Sequence, residues 1–208
     1  MNADPATEFV SLLDWRRRIG DLYAEIRASQ DKRAAWRRWQ EARALLFREH
    51  PQSPIPAALR HSYAGPHLYD YDPAWALTAS VEPIESKRVE IATSDAEIMA
   101  FDRFGVARFE QSNFALSLEL YWLKGYGGGL FVPFADTTSG RETYGAGRYL
   151  LDTVKGADLG QDDESLVLDF NFAYQPSCAY DSRWSCPLAP PSSRLSLPVP
   201  VGERVARQ

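Results

Sequence analysis

The densest set of reactive side chains lies between Phe134 and Leu150. There an apolar run ends at Asp136, a polar turn follows, and apolar residues resume after Arg148. Asp136, Thr138, Glu142, Tyr144 and Arg148 place two carboxylates, a hydroxyl, a phenol and a guanidinium around one turn. An arginine in such a cluster can hold an anion through its forked donors. A phenol can add a hydrogen bond, and a carboxylate can orient the arginine or accept a proton. The same residues can also serve the turn itself: Asp136 with Thr137, Thr138 and Ser139 can bond the turn's own amides, and Gly145 and Gly147 permit a bulge or the close approach of another backbone. A second polar set, Asp169 and Asn171, flanks Phe170 where the apolar run Leu166–Leu168 ends. In strand alternation the two share a face. If that face is interior both need partners, and Arg148 is a candidate partner for Asp169.

Other chemistries find less support. Gly125 to Gly129 lacks the GxxxxGK[ST] order of a phosphate loop and precedes a strand rather than a helix, so it reads as a hairpin connection. His50, His61 and His67 all lie at or before the proline-rich connector, and no GxSxG elbow occurs. Cys178 and Cys186 are eight residues apart, wider than the usual zinc spacing. They are weak metal candidates and read better as buried thiols or a pair bridging one loop.

These groups belong to a chain of 208 residues with 45% hydrophobic and 25% charged residues, ordinary globular composition. A net charge of −5 argues against non-specific nucleic-acid binding. No run approaches a membrane span, and residues 1–20 carry acids and three arginines without an apolar signal core. Two cysteines and no secretory signal predict a reducing cytoplasm. No cofactor is implied.

The elements that must position the candidates divide the chain in two. Between Ala6 and His50 there is no proline and only Gly20. Asp4-Pro5 offers a helix start. Leu12, Trp15, Ile19, Leu22 and Ile26, then Ala35, Trp39, Ala42 and Leu46, recur at helical spacing, predicting helices over 5–28 and 31–49. Residues 51–73 form a connector rich in proline, with Tyr63, Tyr69 and Tyr71 expected against the core. From 74 to 186 the pattern is of short strands, expected at 75–82, 87–93, 97–104, 106–111, 114–123, 130–136, 146–154 and 165–172. In the fifth of these, Leu116, Leu118, Leu120 and Trp122 alternate with Ser117, Glu119, Tyr121 and Leu123, predicting one buried face. Residues 187–208 form a tail with five prolines in its first fourteen positions. The expected fold is α+β: a helical pair, then an antiparallel barrel or sandwich with the extended tail wrapped over it.

Three segments carry a resemblance: Asp136-Thr-Thr-Ser-Gly-Arg-Glu-Thr-Tyr-Gly-Ala-Gly-Arg-Tyr-Leu150, Leu168-Asp-Phe-Asn-Phe-Ala-Tyr-Gln-Pro-Ser-Cys-Ala-Tyr180 and Cys186-Pro-Leu-Ala-Pro-Pro191. They resemble the signature of domain of unknown function family 1684, bacterial and archaeal proteins of about this length. The chain departs from it where Tyr174-Gln175-Pro176 replaces Tyr-Asn-Pro and Ser192-Ser193-Arg194 replaces Glu-Asn-Arg. The resemblance links Asp136, Thr143, Tyr144, Gly145, Arg148, Asp169, Asn171, Cys178, Cys186, Arg194 and Gly202-Glu203 as one recurrent set. It implies no activity. The set reads either as a hydrogen-bonded core locking the tail to the sheet or as a pocket for a small polar or anionic metabolite held by Arg148, in a binding domain or an enzyme. Two other readings stand beside these: an interaction module presenting Trp36 and Trp39 among Arg33, Arg37, Arg38 and Arg43, and a split-barrel flavin binder.

Overall fold

The computed structural model describes residues 4–206; the first three residues of the expected helical segment and the last two of the expected tail lie outside them. Helix α1 spans Pro5–Ala28 and α2 spans Lys32–Glu49. Pro5 opens α1, but the Asp4 side chain makes no capping bond. Asp31 instead caps α2 by accepting from the Ala34 N–H at 2.9 Å, which moves the helix start one residue past the expected one. Each helix buries its stripe: Ile19, Leu22, Tyr23 and Ile26 on α1, and Ala35, Trp36, Trp39, Arg43, Leu46 and Phe47 on α2.

Seven strands follow: β1 Ala76–Ala92, β2 Ile98–Gln111, β3 Phe114–Leu123, β4 Leu130–Phe134, β5 Arg148–Asp152, β6 Gln161–Asp162 and β7 Ser165–Asp169. They form one sheet ordered β5-β4-β3-β2-β1-β7-β6, with every neighbouring pair antiparallel. The architecture is α+β, and the sheet stays open. One edge strand has two residues, and the other is covered by the bridge between Tyr149 and Tyr174, which blunts both edges without closing a barrel.

Four of the expected strands join in pairs. The strands at 75–82 and 87–93 form one β1, and those at 97–104 and 106–111 form one β2. Register shifts between Pro83 and Lys87 and beside Gly105 absorb the breakers, so the ladder bends and continues. The last strand is shorter than expected. It stops at Asp169, whose carboxylate accepts from the Asn171 N–H and caps a 3-10 turn over Phe170–Phe172. Asp169 and Asn171 therefore do not alternate on one strand face.

One sheet face carries the main core, and the other is covered only in part, with Thr78, Ser80, Arg108 and Glu110 exposed. The helices and the tail residues Leu195, Val199 and Val201 share the main core with Leu118, Leu120, Val132, Leu150 and Phe170. Alternate residues Tyr121, Phe131 and Tyr149 join Ile91 and Phe101 in a smaller cluster on the other face. That cover buries Tyr121, on the face of β3 expected to be polar, while Trp122 emerges into solvent. Of the connector tyrosines, Tyr71 is buried and Tyr63 and Tyr69 are half-buried.

The tail comes close to β5 because residue 147 has no side chain. Gly147 has φ +96°, and a Cβ there would lie 2.5 Å from the Phe134 carbonyl oxygen and 2.8 Å from Ala189 Cβ. Gly147→Ala is expected to cost about 2–4 kcal/mol, from backbone strain plus overpacking, measured as a lower urea midpoint at unchanged slope.

Candidate functional site

The sequence candidates separate into a closed clamp, a surface turn and a groove. The clamp forms because Phe134 pairs with Arg148 in the β4–β5 ladder, which carries Asp136 alongside the arginine. Arg148 Nη2 donates to Asp136 Oδ2 at 2.8 Å and to the Val199 carbonyl at 2.9 Å. Nη1 donates to the carbonyls of Val201 and Glu203, and the guanidinium lies over the Phe134 ring. Asp136 Oδ1 accepts from the Thr138 N–H at 2.6 Å, and the Thr138 and Thr143 hydroxyls meet at 2.9 Å. Both members of the ion pair are almost fully buried. Arg148 thus pairs with Asp136 and not with Asp169, which lies on β7, five positions across the sheet from β5. The remaining bonds of its two terminal nitrogens go to tail carbonyls, while its Nε is buried without a hydrogen-bond partner among the described residues.

A second buried ion pair extends this clamp to the helices. Arg43 Nε donates to Glu203 Oε1 at 2.9 Å, while Glu203 Oε2 accepts from the Gln175 N–H at 2.7 Å and the Tyr180 hydroxyl at 3.0 Å. Burial opposes the Arg43 charge, but Glu203 together with Tyr180 and Tyr23 outweighs it and raises its pKa. Glu203 entered the sequence reading only through family resemblance and Arg43 only as part of a basic helix. An arginine on the apolar stripe of α2, four residues after Trp39, was the available signal.

Glu142, Tyr144 and Arg194 lie outside the clamp. Glu142 is exposed and accepts from the Tyr69 hydroxyl at 3.0 Å. Arg194 is exposed, and its backbone bridges Ala135. Tyr144 lines an open cleft of about 700 Å³ with Gly140, Arg141, Glu142 and Arg204, and its hydroxyl sits 3.6 Å from Cys178 Sγ. Cys178 and Cys186 are both free, the first half-buried and the second buried. Among the described residues no three His, Cys, Asp or Glu side chains gather as a metal site.

Asp169 and Asn171 meet in a different place. Asp169 Oδ1 accepts from the Asn171 N–H at 3.0 Å and its side-chain amide at 2.8 Å. The Asn171 amide also donates to the Asp72 carbonyl and its Oδ1 accepts from the Asp72 N–H, tying the turn to the connector. Asp169 Oδ2 has no hydrogen-bond partner among the described residues, although the residue is only 4% exposed. Burial pushes the carboxyl up to about 6 against the hydrogen bonds of Asn171 and the charge of Lys32. It belongs to the lining of a groove of about 950 Å³ between the end of α1, the start of α2 and the β1–β7 edge, together with Arg27, Lys32, Leu77, Val167 and Phe172.

Trp36 and Trp39 do not form a presented surface. Trp36 is 9% exposed and its indole N–H donates to the Asn171 carbonyl at 3.1 Å. Trp39 is fully buried, edge-on to Phe172. The aromatic part of the expected interaction face is core, because the stripe that carries it is the one α2 turns to the sheet.

Fold and clamp together define an α+β protein whose helices and proline-rich tail are tied to an open antiparallel sheet by buried ion pairs. The chain belongs to the family described as Protein of unknown function (DUF1684), whose model matches residues 61–204. It is similar to an uncharacterized protein of Haloarcula marismortui with a solution NMR structure, at 33% identity and a TM-score of 0.61, over 85% of this chain and 95% of that chain. No curated protein matches the chain. No helix among the described residues is long and apolar enough to cross a membrane.

Proposed function

We propose that this protein binds a small polar ligand with an apolar portion in the groove floored by Asp169. The observation that carries this reading is the Oδ2 of a largely buried carboxylate, which lines the groove without a hydrogen-bond partner while the other oxygen is held by Asn171. A carboxylate drawn largely out of water with its charge only partly compensated is costly, and such groups concentrate at working sites. The groove volume of about 950 Å³ suits a small molecule. Its lining pairs apolar Leu77, Val167 and Phe172 with the cationic side chains of Arg27 and Lys32. A group titrating at about 6 can donate or accept a hydrogen bond near neutral pH and can serve as a general acid or base.

Asp169→Asn tests both the cost and the use of this group. The folded pKa lies above the ordinary carboxylate value of 3.8. Between those values the folded chain therefore binds more protons than the unfolded chain, and stability falls as pH rises. Wild-type protein is expected to lose about 2 kcal/mol between pH 4 and pH 7 at this residue, and Asp169→Asn to escape that loss in urea titrations. Native mass spectrometry after incubation with a small-metabolite extract is expected to show a retained molecule on wild type and none on Asp169→Asn. Equal retention by both proteins, or by neither, rejects the groove as the site.

A further inference from the structure

Away from the groove, Tyr144 is the one candidate turn residue that reaches a nucleophile. Its hydroxyl lies 3.6 Å from Cys178 Sγ, and the Cys178 N–H donates to Cys186 Sγ at 3.4 Å, which sets the two cysteines side by side across the loop between them. The loop is pinned at its far end: the Cys186 N–H donates to Ser94 Oγ at 3.2 Å, the Ser94 N–H donates to the Cys186 carbonyl, and the Ser94 hydroxyl donates to the Trp184 carbonyl. Cys178 is half-buried and Cys186 is buried, so one sulfur is within reach of solvent and the other is held behind it. Tyr144 lines the open cleft of about 700 Å³ while its hydroxyl touches the sulfur.

We propose that Cys178 and Cys186 form a dithiol site that reduces small hydroperoxides, with Cys178 as the attacking sulfur, Cys186 as the resolving thiol and Tyr144 as the hydrogen-bond donor to the reacting sulfur. The electrostatics agree with this division of labour. The Cys186 thiol, opposed by burial and aided by the Tyr144 and Ser94 hydroxyls, draws the Cys178 thiol below its ordinary value. The neighbouring Cys178 sulfur and then burial push the Cys186 thiol up. Burial and the contact with Cys178 raise Tyr144 to about 12, so the phenol keeps its proton and can donate it as a hydrogen bond. A thiolate is the nucleophile, and a half-exposed thiolate beside a second thiol is the arrangement of redox-reactive pairs.

The chemistry balances in two steps. Cys178 thiolate attacks the terminal peroxide oxygen, the S–O bond forms as the O–O bond breaks, and the departing hydroxide or alkoxide takes a proton from solvent and leaves as water or an alcohol. Cys178 is then a sulfenic acid. The Cys186 sulfur attacks the Cys178 sulfur, the S–S bond forms as the S–O bond breaks, and the hydroxyl leaves with the Cys186 proton as water. The dithiol has lost two electrons and the peroxide has gained them. Two external thiols return them: the first forms a mixed disulfide at the half-exposed Cys178 and frees the Cys186 thiol, and the second displaces Cys178 and leaves as the external disulfide.

The test is direct because Arg183 separates the cysteines, so trypsin places them on different peptides. The full chain, reduced and then treated with one equivalent of hydrogen peroxide, is expected to lose two hydrogens. Its unreduced digest should join the peptide holding Cys178 to the one holding Cys186. Cys186→Ser should instead accumulate a sulfenic acid on Cys178 that dimedone traps. Cys178→Ser and Cys178→Ala should consume no peroxide. Tyr144→Phe should slow alkylation of Cys178 by iodoacetamide at pH 7 by up to about tenfold. Wild-type cysteines left reduced by peroxide, or a Cys178 that reacts no faster than free cysteine at pH 7, overturn the assignment.

Discussion

Arg148→Ala is expected to destabilise the protein by about 3–5 kcal/mol, the usual cost of removing one member of a buried ion pair. The substitution leaves Asp136 as a buried carboxylate with its Oδ2 unpaired, and it strips donors from the carbonyls of Val199, Val201 and Glu203. Those carbonyls belong to the tail that supplies Val199 and Val201 to the main core, so the loss should also free the tail for proteolysis under conditions where wild type resists. Urea titration gives the magnitude. The double variant Asp136→Leu/Arg148→Met, which removes both charges and keeps apolar volume, should recover a substantial part of the loss. A loss below about 1 kcal/mol for Arg148→Ala would show that the pair does not clamp the tail to the sheet.

Removal of residues 1–50 is expected to leave material that does not fold. Nine apolar side chains of the two helices are buried in the core, among them Tyr23, Trp39 and Phe47. At about 1.5–3 kcal/mol for each large side chain, their loss exceeds the whole stability of a typical domain, about 5–15 kcal/mol. The truncation also exposes Phe172, against which Trp39 packs edge-on at 5.5 Å, and leaves Glu203 without Arg43. Expression of 51–208 should give insoluble protein, or soluble protein without near-ultraviolet dichroism. A soluble remnant with cooperative unfolding would instead make the helices an appended arm.

Much of the local structure was legible in advance because it depends on residues a few positions apart. The stripes from Leu12 to Ile26 and from Ala35 to Leu46 give both helices. Gly125–Gly129 gives the β3–β4 hairpin, and the amides of the Asp136 turn find the side chains expected for them. Strand boundaries were less legible. A breaker such as Pro83 or Gly105 reads as an end in sequence, whereas a register shift lets the paired strands pass it. Asp169 reads as a strand residue because Leu166–Leu168 precede it, yet its carboxylate competes successfully for the Asn171 amide and turns the chain.

The candidate site shows the same division. Residue types alone marked Asp136, Tyr144, Arg148, Asp169 and Cys178 as groups with chemistry to offer, because ionisation, donor geometry and nucleophilicity are properties of the side chain. Their roles belonged to the tertiary structure. Two aspartates were open to Arg148, and the β4–β5 register chose Asp136 while the sheet order put Asp169 across the molecule. Glu203 and Arg43, 160 residues apart, are joined because the tail and α2 meet over the same core. Burial, which decides whether a charge is scaffold or reagent, is set by whichever distant segment covers it. The tail covers Arg148 and its carbonyls accept from both Nη1 and Nη2, while nothing among the described residues takes the second oxygen of Asp169.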